Sequence, residues 1–138
     1  MNEPTQDERN AAARAFLDDP DAESETYDDA AYNGYLILTD DEADERAKDS
    51  IRESVWAFVP RFLVSYLPDG VGEEVIEALQ PQCEGANGAI LSMLGDRFDE
   101  FADDAMSTDG RGHFLAAGYD GDEHEFDHAG RTWFAYRN

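Results

Sequence analysis

Glu123-His124-Glu125-Phe126-Asp127-His128-Ala129-Gly130-Arg131-Thr132-Trp133-Phe134-Ala135-Tyr136 is the stretch on which the fold class turns. Acids alternate with the ring side chains His124 and Phe126 along Glu123 to Asp127, and the run Thr132 to Tyr136 is rich in aromatic side chains. That is the composition and period of strands with one face on a core. The intervening His128-Ala129-Gly130-Arg131 holds the glycine a tight turn needs, so the segment is predicted to be a β-hairpin. Far upstream, Tyr35-Leu36-Ile37-Leu38 is another short apolar run of strand type.

Between these strands the spacing is helical. Thr39 and Glu42 stand in capping-box positions, Leu38 and Ala43 at hydrophobic-staple spacing. Ala43, Ala47, Ile51, Val55 and Phe58 then recur every three or four residues, which predicts a helix with one buried stripe as far as Val59, broken or kinked at Pro60. Short helical pieces are expected over Phe62 to Leu67 and Glu73 to Leu79, and Gln80-Pro81 reads as a fresh helix start. The helix that follows carries Gly85, Ala86, Gly88 and Ala89, a small-residue patch suited to close approach of another helix, and ends at Gly95. Asp96 is expected to cap a last helix with Phe98, Phe101, Ala105 and Met106 on its apolar face. Strands at both ends and helices between them predict an α+β domain: central helices packed with a small antiparallel sheet.

The domain is expected to start near Gly34. Residues 18–29 hold seven acids (Asp18, Asp19, Asp21, Glu23, Glu25, Asp28, Asp29) and no base, with Pro20, Ala22 and Tyr27 as the non-polar side chains. Such a block buries too little surface to offset its ordering entropy and is read as an exposed linker. Ahead of it Thr5 to Leu17 has the pattern of a short helix, with Thr5 and Glu8 in capping-box spacing, but a lone helix of about a dozen residues is marginal in water. The organisation expected is therefore a flexible acidic extension, 1–33, and a compact domain, 34–138.

Charge is the extreme quantity. Of 138 residues, 33 are Asp or Glu and 10 are Lys or Arg, a formal net charge of −23. That excludes a surface made to grip nucleic acid or an anionic membrane directly. The single Cys83 excludes an internal disulfide framework and a cysteine-cluster zinc site. No apolar run approaches the roughly 18 residues of a membrane span, so a soluble, cytoplasmic protein is expected.

Reaction chemistries lack their parts. Glycine-flanked serine elbows, phosphate-binding loops and dinucleotide fingerprints are all missing from the sequence. With so many carboxylates, close acidic pairs arise by chance and carry no weight. Lys48 is the only lysine, on a helix whose neighbours read as surface, which counts against a metal-dependent nuclease. Cys83, among apolar neighbours, is expected to be a buried structural thiol. Asp120, Asp122, Glu123, His124, Glu125, Asp127 and His128 crowd nine positions, yet on a strand the two imidazoles stand about 13 Å apart and cannot share an ion. They are read as a plain acidic hairpin edge. His113 is read as a packed or turn-capping histidine, Trp56 and Trp133 as core, and no cofactor or metal is expected.

The acids on helices carry the functional expectation. Asp40, Asp41, Glu42, Asp44, Glu45 and Asp49 fall within ten helical residues; less Arg46 and Lys48 they leave four negatives. Over about 15 Å that is one per roughly 4 Å, near the ~3.4 Å spacing of phosphates along a DNA strand. Asp96, Asp99, Glu100, Asp103 and Asp104 line one side of the later helix. Asp96/Glu100, Asp99/Asp103 and Glu100/Asp104 are like-charged i,i+4 pairs, each destabilising by about 0.2–0.5 kcal/mol.

Leu38-Thr39-Asp40-Asp41-Glu42-Ala43-Asp44, Glu53-Ser54-Val55-Trp56-Ala57-Phe58, Gly110-Arg111-Gly112-His113-Phe114-Leu115, Tyr119-Asp120-Gly121 and Phe134-Ala135-Tyr136-Arg137-Asn138 together resemble a family of small acidic proteins carried by phages and other mobile elements. The likeness covers about residues 35 to 138. It implies an accessory gene, a class in which small acidic proteins often imitate DNA against host defence. The expected function is a non-enzymatic DNA mimic that blocks the DNA-binding groove of a restriction or CRISPR complex, through the eleven acids just named. Its partner is then a basic DNA-binding protein, with no direct nucleic-acid or membrane contact and homo-oligomerisation left open. The alternatives are an acidic regulator that docks through apolar surface, a salt-adapted domain, and, third, a metal-dependent hydrolase.

Overall fold

Strand β2, Tyr35–Leu38, sits where the apolar run places it, and its partners come from both ends of the chain. The computed structural model describes residues 3–116 and 121–138. Ala31–Tyr32 (β1) pairs antiparallel with β2, β2 with Arg131–Arg137 (β4), and β4 with His124–His128 (β3), giving the order β1-β2-β4-β3. Register assigns the faces. Leu36 opposes Tyr136 and Leu38 opposes Phe134 on one side, while Ile37 opposes Ala135 on the other.

Both faces are covered, which makes the fold α+β with helices packed on a small antiparallel sheet. Helix α1, Gln6–Leu17, brings Ala12 and Ala13 against Tyr32, Ile37, Trp133 and Ala135. The opposite face takes Ala43 from helix α2, Asp40–Glu53, and Leu115 and Ala116 at the end of a short helix over Arg111–Leu115. The chain forms two compact units: residues up to Arg46 together with those from Gly110 onward, and Ala47–Asp109.

This overturns the expected boundary at residue 33. Helix α1 and β1 are a layer and a strand of the sheet unit, so residues 3–33 are not a detached extension. The acidic block is pinned: Arg46 reaches Asp28 with two bonds of 2.8 Å, Arg14 Nε donates to the Ala22 carbonyl at 2.9 Å, and Ala22 and Ala30 are buried. A legible signal was present. Asn33-Gly34, with both φ positive (48° and 88°), is a type I′ turn joining β1 to β2, and a boundary at Gly34 cuts through that hairpin.

In the second unit the helices are shorter than the apolar stripe suggests. Ala43, Ala47 and Ile51 are buried as expected, but α2 stops at Glu53, where the Ser54 hydroxyl donates back to the Ser50 carbonyl at 2.7 Å. Val55–Ala57 is a single 3₁₀ turn. Pro60 does not break a helix; it is the first residue of α3, Pro60–Val64, where its fixed φ suits the start. Helix α4, Glu73–Leu79, has the expected limits. Gln80–Ala86 forms 3₁₀ turns interrupted at Cys83 (φ 52°), then α5, Asn87–Leu94, ends at Gly95.

Three expectations fail in this unit. Gly85, Gly88 and Ala89 are exposed, with nothing within 4 Å of a Cβ placed on Gly88, so only Ala86 of the small-residue patch is packed. Cys83 is exposed, because it lies on the kink and not on a buried helical face. Asp96 falls inside a 3₁₀ turn, Gly95–Arg97, that leads into α6, Phe98–Asp109. Phe101 is the centre of the core, with the rings of Phe58, Phe62 and Tyr66 at 4.9, 5.3 and 5.4 Å. Trp133 is core as expected, whereas Trp56 is only half-buried.

Candidate interaction surfaces

The α2 acids start from a fixed helix end. Thr39 N donates to Glu42 Oε1 at 2.9 Å and Glu42 N to Thr39 Oγ1 at 3.4 Å, closing the capping box. Glu42 also takes the Arg9 guanidinium, at 2.8 and 2.6 Å, while Arg9 donates to the buried Ile37 carbonyl at 2.7 Å. Half-burial disfavours the Glu42 carboxylate, but the bonds from Arg9 and Thr39 outweigh it and hold its carboxyl below the ordinary range. Glu42 is thus a structural anion and offers little charge to a partner.

Asp40 and Asp44 are shared as well. Arg111 Nη1 donates to Asp40 Oδ1 at 2.7 Å and to Asp44 Oδ1 at 3.0 Å, and its Nε to Glu123 Oε1 at 2.8 Å. Tyr136 donates its hydroxyl to the same Glu123 oxygen. Burial of Arg111 opposes its charge, yet the bonds to Glu123 and Asp40 win and raise its pKa further; burial, then the Glu123 bond, raises that of Tyr136. One cation serves three carboxylates here, so the cluster remains net negative. Asp41 and Glu45 are exposed and have no hydrogen-bond or ion-pair partner among the described residues.

In the other unit, Asp96, Asp99, Glu100, Asp103 and Asp104 are all exposed, on or just ahead of a helix whose opposite side buries Phe98, Phe101, Ala102 and Ala105. The like-charged pairs are partly offset. Lys48 Nζ stands 4.0 Å from Asp99 and 3.6 Å from Asp103, Arg97 pairs with Glu100 at 3.3 Å, and Asp104 accepts the Tyr66 hydroxyl. That bond, more than burial, pushes the Tyr66 phenol up to about 12. Lys48 is therefore a partner of the acidic helix and not an idle surface residue. Asp49 pairs with Arg52 at 2.9 Å.

Of the eleven expected acids, then, Asp41, Glu45 and Asp96 have no partner among the described residues, Glu42 is half-buried and held by Arg9, Asp104 accepts a hydroxyl, and the rest pair with a cation. Sequence reading had no means of finding Arg9 and Arg111, because the α2 acids they meet, Glu42 for the one and Asp40 and Asp44 for the other, are 33 and 67 to 71 positions away. Among the described residues no three His, Cys, Asp or Glu side chains gather as a metal-ligand set. His124 lies on a strand beside Phe16 and Tyr35, with ring centroids 6.0 and 6.4 Å away, and His113 is exposed against Phe114. Tyr119 and Asp120 lie outside the described residues.

Among the described residues no helix is long and apolar enough to cross a membrane. No family model matches the chain, and neither does any curated protein or solved structure.

Proposed function

We propose that the chain is a non-enzymatic interaction protein that presents carboxylates in place of DNA phosphates and occupies the DNA-binding groove of a basic partner, a restriction or CRISPR complex. The observation that carries this reading is the α6 surface: five exposed acids, spaced by a helix whose other side is locked into a core, against two cations. A rigid helix fixes carboxylate spacing, and a partner's Lys and Arg side chains then meet several at once. The phage-family resemblance supplies the class of target.

The test is competition with duplex DNA for purified restriction and CRISPR complexes across a salt series. Neutralising Asp96, Asp99 and Asp103 to Asn keeps shape and removes three charges. Neutralising Asp18, Asp21 and Glu23, exposed in the acidic loop, is the matched control. Mimicry expects binding that falls steeply with salt and a much larger loss from the helix set than from the loop set. Val59, 66% exposed, favours a second reading, a regulator that docks through apolar surface. Binding indifferent to salt and to DNA would select it.

A further inference from the structure

In the sheet unit a cleft of about 970 Å³ opens among the turn that carries Tyr27, the first turns of α2 and the β3–β4 turn. That is near the upper end of the ~300–1,000 Å³ typical of ligand pockets, room for a side chain with flanking main chain. Its cations are committed: Arg9 to Glu42, Arg46 to Asp28, and Arg131 lies 3.8 Å from Glu8. Asp41 and Glu45 also line it and are the free carboxylates already described. Standing at i,i+4 on α2, they repel one another in the absence of a shared cation.

A further feature of the cleft is independent of its acids. Tyr27 is 76% exposed, yet its turn is held rigidly: Asp28 takes the bidentate Arg46 pair and accepts the Ala30 N–H at 3.0 Å, and Glu25 N donates to the Ala31 carbonyl at 2.9 Å. An aromatic ring carried into solvent on a held turn at the lip of a pocket is the kind of group that anchors interfaces. Arg9, nine-tenths buried, also lines the cleft, with its guanidinium held by Glu42 and the Ile37 carbonyl.

A guest must therefore carry a cation that two carboxylates can share and a flat face for a tyrosine ring. Guanidinium meets both conditions better than ammonium, being planar, forked and weakly hydrated. We propose that the cleft receives an arginine-bearing segment of a basic polypeptide, its guanidinium on the Tyr27 ring and paired with Asp41 and Glu45. This deepens the reading of the chain as a partner of DNA-binding proteins and rests on it.

The experiment titrates the full chain with a labelled arginine-glycine repeat peptide and with its lysine-glycine counterpart, followed by anisotropy and by amide chemical shifts. The arginine peptide is expected to bind several-fold more tightly, with shifts centred on Tyr27, Asp41 and Glu45. Tyr27→Ala should weaken it about 2- to 5-fold, the scale of an exposed cation–π contact, and Tyr27→Phe should restore it. Joint Asp41→Asn and Glu45→Gln should cost about tenfold or more, against less than twofold for Asp18→Asn with Asp21→Asn, exposed in the acidic loop. Equal losses from the two neutralised pairs, no effect of Tyr27→Ala, or equal binding of the two peptides would overturn the proposal. Shifts centred on the cleft with no competition against DNA in the preceding assay would retain the cleft and refute the mimicry; competition with no cleft response would do the reverse.

Discussion

Arg9→Met removes one guanidinium and tests whether α1 is a structural layer. Arg9 is 8% exposed; it holds Glu42 with bonds of 2.8 and 2.6 Å and the Ile37 carbonyl at 2.7 Å, and lies 5.6 Å from the centre of the Trp133 ring. Breaking a fully buried ion pair costs about 3–5 kcal/mol. The Glu42 side chain is 31% exposed and keeps its Thr39 bonds, so water recovers part of that, and about 2–3 kcal/mol is expected. Glu42→Gln alone should cost about 1–2 kcal/mol, and the double mutant should fall short of the sum by at least ~1 kcal/mol. Urea unfolding followed by tryptophan fluorescence reads this out, in a Trp56→Phe background that leaves Trp133, 1% exposed, to report on the sheet unit.

The pH dependence fixes the sign. The folded Glu42 carboxyl lies below its unfolded value, so the unfolded chain takes up the proton first and stability rises with pH. The coupling should therefore be complete above the ordinary glutamate pKa, ~4.3, and disappear as pH falls through the lower folded value. A cost of Arg9→Met under about 0.5 kcal/mol, or a coupling that persists in strong acid, would refute the pair as the tie between α1, β2 and α2.

A chain starting at Gly34 lacks the layer over Ile37, Trp133 and Ala135 and should lose cooperative melting of the sheet unit, with Trp133 emission shifted to the red in native buffer. Gly112→Ala places a Cβ 1.9 Å from the Gly121 carbonyl oxygen, a backbone atom, and should destabilise by about 1–3 kcal/mol in the same urea assay. Ala129→Asn should stabilise by up to ~1 kcal/mol, because Ala129 sits at φ 50° in a two-residue turn where asparagine is at ease. A fall in denaturation midpoint for that variant would contradict the turn geometry.

What the sequence determined by itself was local. Capping boxes at Thr5 and Thr39, the period of two around Ala129-Gly130, and glycine at position 95 act through neighbours a few residues apart, and those elements stand where they were read. Tertiary structure decided whether the first thirty residues belong to the domain. Alone, α1 is marginal and an acidic block cannot fold, but Ala12 and Ala13 bury against strands formed more than a hundred residues later, and Arg46 reaches back to neutralise Asp28. It decided also which acids are available. Helical spacing marked eleven carboxylates, and the partners that enclose Glu42 and divide Asp40, Asp44, Asp99 and Asp103 among few cations come from distant segments, brought near by packing and not by any local pattern.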